Sequence, residues 1–151
     1  MKIRAMTATD VDRVAELVTQ LGYPSSADQI ARRFARIDGR NDCALFVADD
    51  GQAVVGWMHA AFQPYLECDE SAEILGLVVA DGQRGRGIGA ALVSAGETWA
   101  KGIGCRSLRV RANITRDRAH AFYQRHGFAR VKTQHCFQKM IQESLALSLE
   151  P

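Results

Sequence analysis

The sequence predicts a mixed-sheet α/β (α+β) domain, on three observations. Apolar residues recur at helical spacing in some stretches and form compact runs in others. Hairpin signals fall in the first half, which implies antiparallel strands there. A strand–helix–strand unit covers 72–110, which implies a parallel pair joined by a right-handed crossover. The elements read β-α-α-β-β-β-α-β-α-β, giving about six or seven strands and about four helices.

The first strand is Ile3 to Met6. Thr9 or Asp10 caps a helix over 10–21, where Val11, Val14, Leu17, Val18 and Leu21 share a face. Gly22-Tyr23-Pro24 ends it. Ser25 or Ser26 opens a second helix with Ile30, Phe34 and Ile37 on one side. Ala44–Ala48 and Ala53–Phe62 flank the turn Asp49-Asp50-Gly51 as a hairpin. After a loop at 63–71, Ala72–Val79 is a strong strand, broken by Ala80-Asp81-Gly82. From Gly87 the pattern is helical, with Ile88, Leu92, Ala95 and Trp99 aligned, until Gly102 and Gly104. Ser107–Val110 reads as a strand and 116–126 as a helix. Gln134–Ile141 reads as a last strand. No repeat or linker interrupts the chain, so 1–151 is expected to be one domain, a core of 1–141 with a short tail at 142–151.

The 151 residues include 19 Lys+Arg and 17 Asp+Glu, a net of 19 − 17 = +2. Such a balance, with scattered cations, does not point to nucleic acid. Cys43, Cys68, Cys105 and Cys136 form no C-x-x-C pair and have no histidine at ligand spacing, so no metal is expected. The opening Met1-Lys2-Ile3-Arg4 shows no apolar leader, and no apolar run is long enough for a bilayer. A soluble cytoplasmic protein is therefore expected, with no membrane partner. A homodimer is a reasonable expectation at this size, with Leu145, Leu147 and Leu149 available to an interface.

The most informative segment is the turn Arg84-Gly85-Arg86-Gly87-Ile88-Gly89 between a strand and a helix. A helix N-terminus presents unpaired N–H groups and a positive dipole end. Glycines let a bulky anion approach the backbone, and Arg84 and Arg86 add donors for phosphate oxygens. A P-loop fits poorly: Gly82 and Gly87 have its spacing, but Ile88-Gly89 replaces the Lys and hydroxyl residue. Gly85 to Ala90 fits G-x-G-x-x-A literally, yet the strand at 106–111 lacks the acid that would bind a ribose.

Arg84, Gly87 and Gly89 also satisfy R/Q-x-x-G-x-G/A. With Ile3–Met6, Glu73–Val79, Asn113, Arg116, Ala119-His120, Phe122-Tyr123 and Gly127-Phe128, the chain resembles the GCN5-related N-acetyltransferase (GNAT) superfamily along nearly its whole length. That resemblance implies the family's single-domain fold and an acetyl-CoA-dependent transfer to a primary amine by direct attack in a ternary complex. It places the cofactor pyrophosphate on Arg84, Gly85, Arg86, Gly87, Ile88, Gly89 and Ala90. It places the pantetheine arm along the backbone of Leu77 and Val79, with Asn113 and Arg116 across the cleft. Glu73 matches the general base of some members and Tyr123 the acid for the leaving thiolate. Strand alternation puts Glu73 on the face of Leu75, Leu77 and Val79.

The acceptor, a small-molecule or protein amine, is expected near Gly22-Tyr23-Pro24, Phe34 and His135. Glu67, Asp69 and Glu70 in loop 63–71 would favour a cationic one. The competing reading is a catalytically silent CoA-binding regulatory module. A dinucleotide oxidoreductase, and a nucleic-acid binder using Arg84, Arg86, Arg106, Arg109 and Arg111, rank lower.

Overall fold

The computed structural model describes residues 1–112 and 114–142. The elements are β1 (Lys2–Ala5), a 3-10 turn (Ala8–Asp10), α1 (Val11–Leu21), α2 (Ala27–Ile37), β2 (Cys43–Asp49), β3 (Val54–Gln63), β4 (Ser71–Val79), α3 (Ile88–Gly102), β5 (Leu108–Val110) and α4 (Asp117–Arg125). The sheet order is β1-β2-β3-β4-β5. The first four strands are antiparallel, and β5 joins β4 in parallel through α3.

Local chemistry sets the helix ends. Ser26 and Gln29 form a reciprocal capping box that starts α2. Gly22, at φ 109, ends α1 with its N–H on Thr19 O and Val18 O. Arg4 on β1 grips Asp10 through Nη1–Oδ2 and Nη2–Oδ1, both 2.9 Å, which fixes the entry to α1.

The main core cluster gathers around Leu17, Val47, Met58 and Leu92, with α3 across the sheet, and a smaller one joins Ala72, Ala100 and Cys105. Glycine permits that close packing. A Cβ on Gly56 would lie 3.2 Å from both Ile88 and Leu92, and one on Gly96 would lie 2.8 Å from Met58 Cε. The buried stripe of α3 is Ile88, Leu92, Val93, Gly96 and Ala100; Ala95 and Trp99 flank it half-buried.

Among the described residues there are five strands rather than six or seven. Gln134–Ile141 forms no strand, and Phe137 is 91% exposed there. A strand-like run of residues does not by itself supply a ladder, and β5 offers an edge of only three residues. Leu145, Leu147 and Leu149 lie outside the described residues.

One irregularity shapes the site. Along β3–β4, His59 faces Gly76 but Ala60 faces Ile74, so Leu75 is an extra residue, a β-bulge. Side chains opposite one another across a ladder share a face. Leu77 lies opposite Met58, on the α3 face, whereas Glu73 lies opposite Ala61, on the other face. The expected common face of Glu73, Leu75, Leu77 and Val79 is thus corrected: the bulge reverses the alternation between Glu73 and Leu77, and Leu75 is left 55% exposed.

Candidate active site

β4 and β5 pair only at Ala72↔Leu108, Glu73↔Arg109 and Ile74↔Val110. Among the described residues, β4 has no ladder partner on its β5 side beyond Ile74. Ala80 N donates to Val55 O, so the backbone there points toward β3. By alternation the N–H and C=O groups of Leu77 and Val79 point to the open side. Gln20 takes the Val79 carbonyl (Nε2–O 3.0 Å) and accepts from Asp81 N with Oε1 (2.9 Å), clamping the end of β4 to the turn. Gln20 was not legible as a site residue; a glutamine in an amphipathic helix carries no motif.

The turn leads from this edge into α3. Gly85 and Gly87 adopt φ 80 and 78, and a Cβ on either would meet nothing within 4 Å. The surface over them is open, and the conformation is one that side-chain-bearing residues avoid. Gly87 is the N-cap and supplies no side-chain cap, so the leading N–H groups of α3 keep their donor capacity. Arg84 and Arg86 are exposed; Arg84 lies 3.6 Å from Asp81, and Arg86 donates to Gln83. Exposed N–H groups beside two arginines are the kind of donor set that anions bind. Gly89 serves a different need: its Cβ would sit 3.1 Å from Phe122, so its lack of a side chain admits α4 against the first turn of α3. Ile88 is buried in the core below the turn, and Ala90 is half-buried beside it.

Glu73 is buried, its side chain 6% exposed, and forms an ion pair with Arg111 (Oε1–Nε 3.0 Å). On the same face lie Trp57 and His59 of β3, Ser71 of β4 and Arg109 of β5, by register. Trp57 Nε1, His59 Nε2 and Ser71 Oγ are buried without a partner among the described residues. Unpaired buried polar atoms are costly, and their clustering on one face marks a region built for polar chemistry. Burial pushes the His59 imidazole below its usual range, so it stays neutral. Arg109 stacks its guanidinium 5.6 Å from the Tyr65 ring centroid. Trp57, His59 and this use of Arg111 carry no motif in the sequence, because only the ladder register brings them beside Glu73.

Tyr123 packs edge-on against Phe122 and Phe128, at centroid distances of 5.3 and 5.4 Å. Burial raises its phenol above the usual range, opposed by the Arg116 charge. Arg116 stands at the N-cap of α4 without a side-chain cap bond. Phe122 ties Tyr123's helix to the glycine turn, while no contact among the described residues joins Tyr123 to Glu73. Asn113 lies outside the described residues.

On the expected acceptor side, Asp12, Ala15, Glu16, Thr19, Ser25 and Ala27 line an open groove between α1 and α2. Tyr23 is exposed and Phe34 half-buried. The four cysteines are free thiols, and no cluster of three metal-ligating residues occurs among the described residues. No described helix is long and apolar enough to cross a membrane.

Known proteins share both sequence and architecture. An aminoglycoside N(6')-acetyltransferase type 1 of Klebsiella aerogenes is 33% identical over 98 residues, covering 63% of this chain and 64% of that relative, just under two thirds of its length. A transcriptional regulator from Bacillus halodurans C-125 superposes with TM-score 0.82 at 27% identity, over 91% of this chain and 99% of that one. An aminoglycoside N-acetyltransferase AAC(6')-Iy solved in complex with CoA superposes with TM-score 0.82 at 22% identity, over 91% of this chain and 93% of that one. The acetyltransferase (GNAT) family model matches residues 11–128, and the chain belongs to that family.

Proposed function

We propose that the protein is an N-acetyltransferase that moves an acetyl group from acetyl-CoA to a primary amine, within a complex holding both substrates. One observation carries the reading: an open strand edge at Leu77 and Val79 runs directly into an uncapped, glycine-lined helix N-terminus. The edge suits an amide-bearing arm and the turn suits its pyrophosphate. The turn residues Arg84, Gly85, Arg86, Gly87, Ile88, Gly89 and Ala90 would hold the phosphates. Leu77 and Val79 would bond the arm, and Arg116, with Asn113, would flank it.

Bound acetyl-CoA supplies an activated acyl carbon and a thiolate leaving group. Glu73 takes a proton from the acceptor ammonium through water, freeing the nitrogen lone pair. The Leu77 N–H polarises the carbonyl as the nitrogen attacks and the C–N bond forms. The C–S bond breaks, and the sulfur receives a proton from the Tyr123 phenol. Tyr123 recovers it from the new amide nitrogen, leaving the amide and the free thiol. The Leu77 N–H lies in the plane of the sheet at its β5 edge, whichever face its side chain takes.

A small cationic amine is the favoured acceptor. The relatives described as aminoglycoside acetyltransferases, the carboxylates Asp12 and Glu16 at the groove, and Glu67, Asp69 and Glu70 in the loop after β3 support this. A silent regulatory module is the second reading, favoured by the likeness to a protein described as a transcriptional regulator. The reading carries over a single domain, a cytoplasmic setting and the homodimer expectation.

The test is calorimetric titration with acetyl-CoA, CoA, NAD and ATP, followed by thiol-release assays with an amine panel. Binding of acetyl-CoA and CoA alone, with turnover of cationic amines, is expected. Binding without turnover of any amine would leave the regulatory reading standing. A preference for NAD or ATP would overturn the assignment of the turn.

A further inference from the structure

Glu73 and Arg111 are unequal partners. The carboxylate is 6% exposed and the Arg111 side chain is 77% exposed, so the guanidinium reaches inward from the rim of the sheet. Among the described residues, Arg111 is the only ion-pair partner of Glu73, and it holds one oxygen, Oε1, through Nε. The other charged and titratable groups facing Glu73 are its register neighbour Arg109 and, two residues from its β3 partner Ala61, His59. Arg109 is turned to the Tyr65 ring, and His59 is neutral. A lone buried carboxylate is costly and free to turn; an ion-pair partner on one oxygen opposes both.

We propose that Arg111 is the positioning residue of the acceptor site, gripping one oxygen of the Glu73 carboxylate and leaving the other for the proton of the incoming amine. This rests on Glu73 acting as the base. Nε suits the task because it is a fixed donor in a planar group whose outer nitrogens remain in solvent. The exposed guanidinium also sets a charge condition at the rim: an acceptor must place its amine at the free oxygen without crowding a second cation against Arg111.

The test compares Arg111→Met, Arg111→Lys, Glu73→Gln and the double variant Glu73→Gln/Arg111→Met, using neamine as acceptor. With the guanidinium gone, nothing fixes the carboxylate in place, and kcat/KM of Arg111→Met should fall roughly tenfold. Affinity for acetyl-CoA should not change. Arg111→Lys should recover part of the loss, and millimolar ethylguanidine should raise the rate of Arg111→Ala but not of the parent. The double variant should be no slower than Glu73→Gln alone.

If Glu73→Gln is slow but Arg111→Met keeps the parental rate, this inference fails alone. If Glu73→Gln keeps the parental rate, the base assignment fails and takes this inference with it. A parent that binds acetyl-CoA but acetylates no amine overturns both.

Discussion

The Trp57 indole lies across Gly76 on the neighbouring strand, so close that a β-carbon there would sit 2.5 Å from Cη2 of the ring. Gly76 is thus a glycine for steric reasons, and the pair seals the sheet beside His59 and the bulge. Gly76→Ala must push the ring or the strand aside. Overpacking of this kind costs about 1–3 kcal/mol. Urea denaturation followed by tryptophan fluorescence should show a lower midpoint with an unchanged slope. A midpoint within error of the parent would mean that the ring moves freely.

Gly87→Glu should abolish detectable acetyl-CoA binding. The substitution places a carboxylate on the surface assigned to the pyrophosphate and strains a left-handed position by about 1–2 kcal/mol. Gly39→Glu provides the control, since Gly39 has φ 79 and open space but lies after α2, away from the turn. Calorimetry on both folded variants should show loss for Gly87 alone. Equal affinity in the two would remove the turn from the cofactor site.

Tyr123→Phe should lower kcat by about 100-fold, in the range typical of a lost general acid, with the dissociation constant for acetyl-CoA unchanged. Because burial raises the Tyr123 phenol, its acid form persists above the usual value of about 10. The parent should then keep its alkaline rate beyond that pH. A parental kcat in the variant would make Tyr123 a packing residue between Phe122 and Phe128.

The Asp10 carboxyl is held below its ordinary range, chiefly by the hydrogen bonds from Arg4, with the Thr7 N–H assisting at 2.8 Å. A depressed carboxyl stabilises the folded state above its unfolded value, near 3.9, and loses that contribution as pH falls through the folded value. Asp10→Asn should therefore be less stable at neutral pH by about 1.5–3 kcal/mol, the range for a hydrogen bond to a charged group. Its stability should also fall less steeply between about pH 4 and pH 2. Thermal melts across that window check both. Parallel profiles would show that another carboxylate dominates acid unfolding.

The sequence was most readable where chemistry is local. Ser26, one of two serines read as opening α2, Gly22 after α1 and the glycines of the turn announce themselves within four residues, and each stands at the element boundary expected of it. The helix stripes and all five described strands follow from periodicity. Relationships that depend on register were not readable. Leu75 as a bulge shifts every later side chain of β4, and nothing in Ile74-Leu75-Gly76 marks it. The Glu73–Arg111 pair joins residues 38 apart (111 − 73) and exists only because β5 lies parallel to β4. Gln134–Ile141 shows the converse: its pattern suits a strand, but the described sheet offers it no partner.

The extra residue at Leu75 has a genetic consequence. A substitution at Glu73 or at Leu77 edits one side of the sheet and leaves the other in place. A single-codon deletion of Leu75 would be absorbed by the bulge: Glu73 would stay opposite Ala61 and Leu77 opposite Met58, now in a regular ladder. A single-codon insertion has no such slack, and one side of the sheet would change face. This short stretch of β4 should therefore tolerate the loss of one residue better than the gain of one.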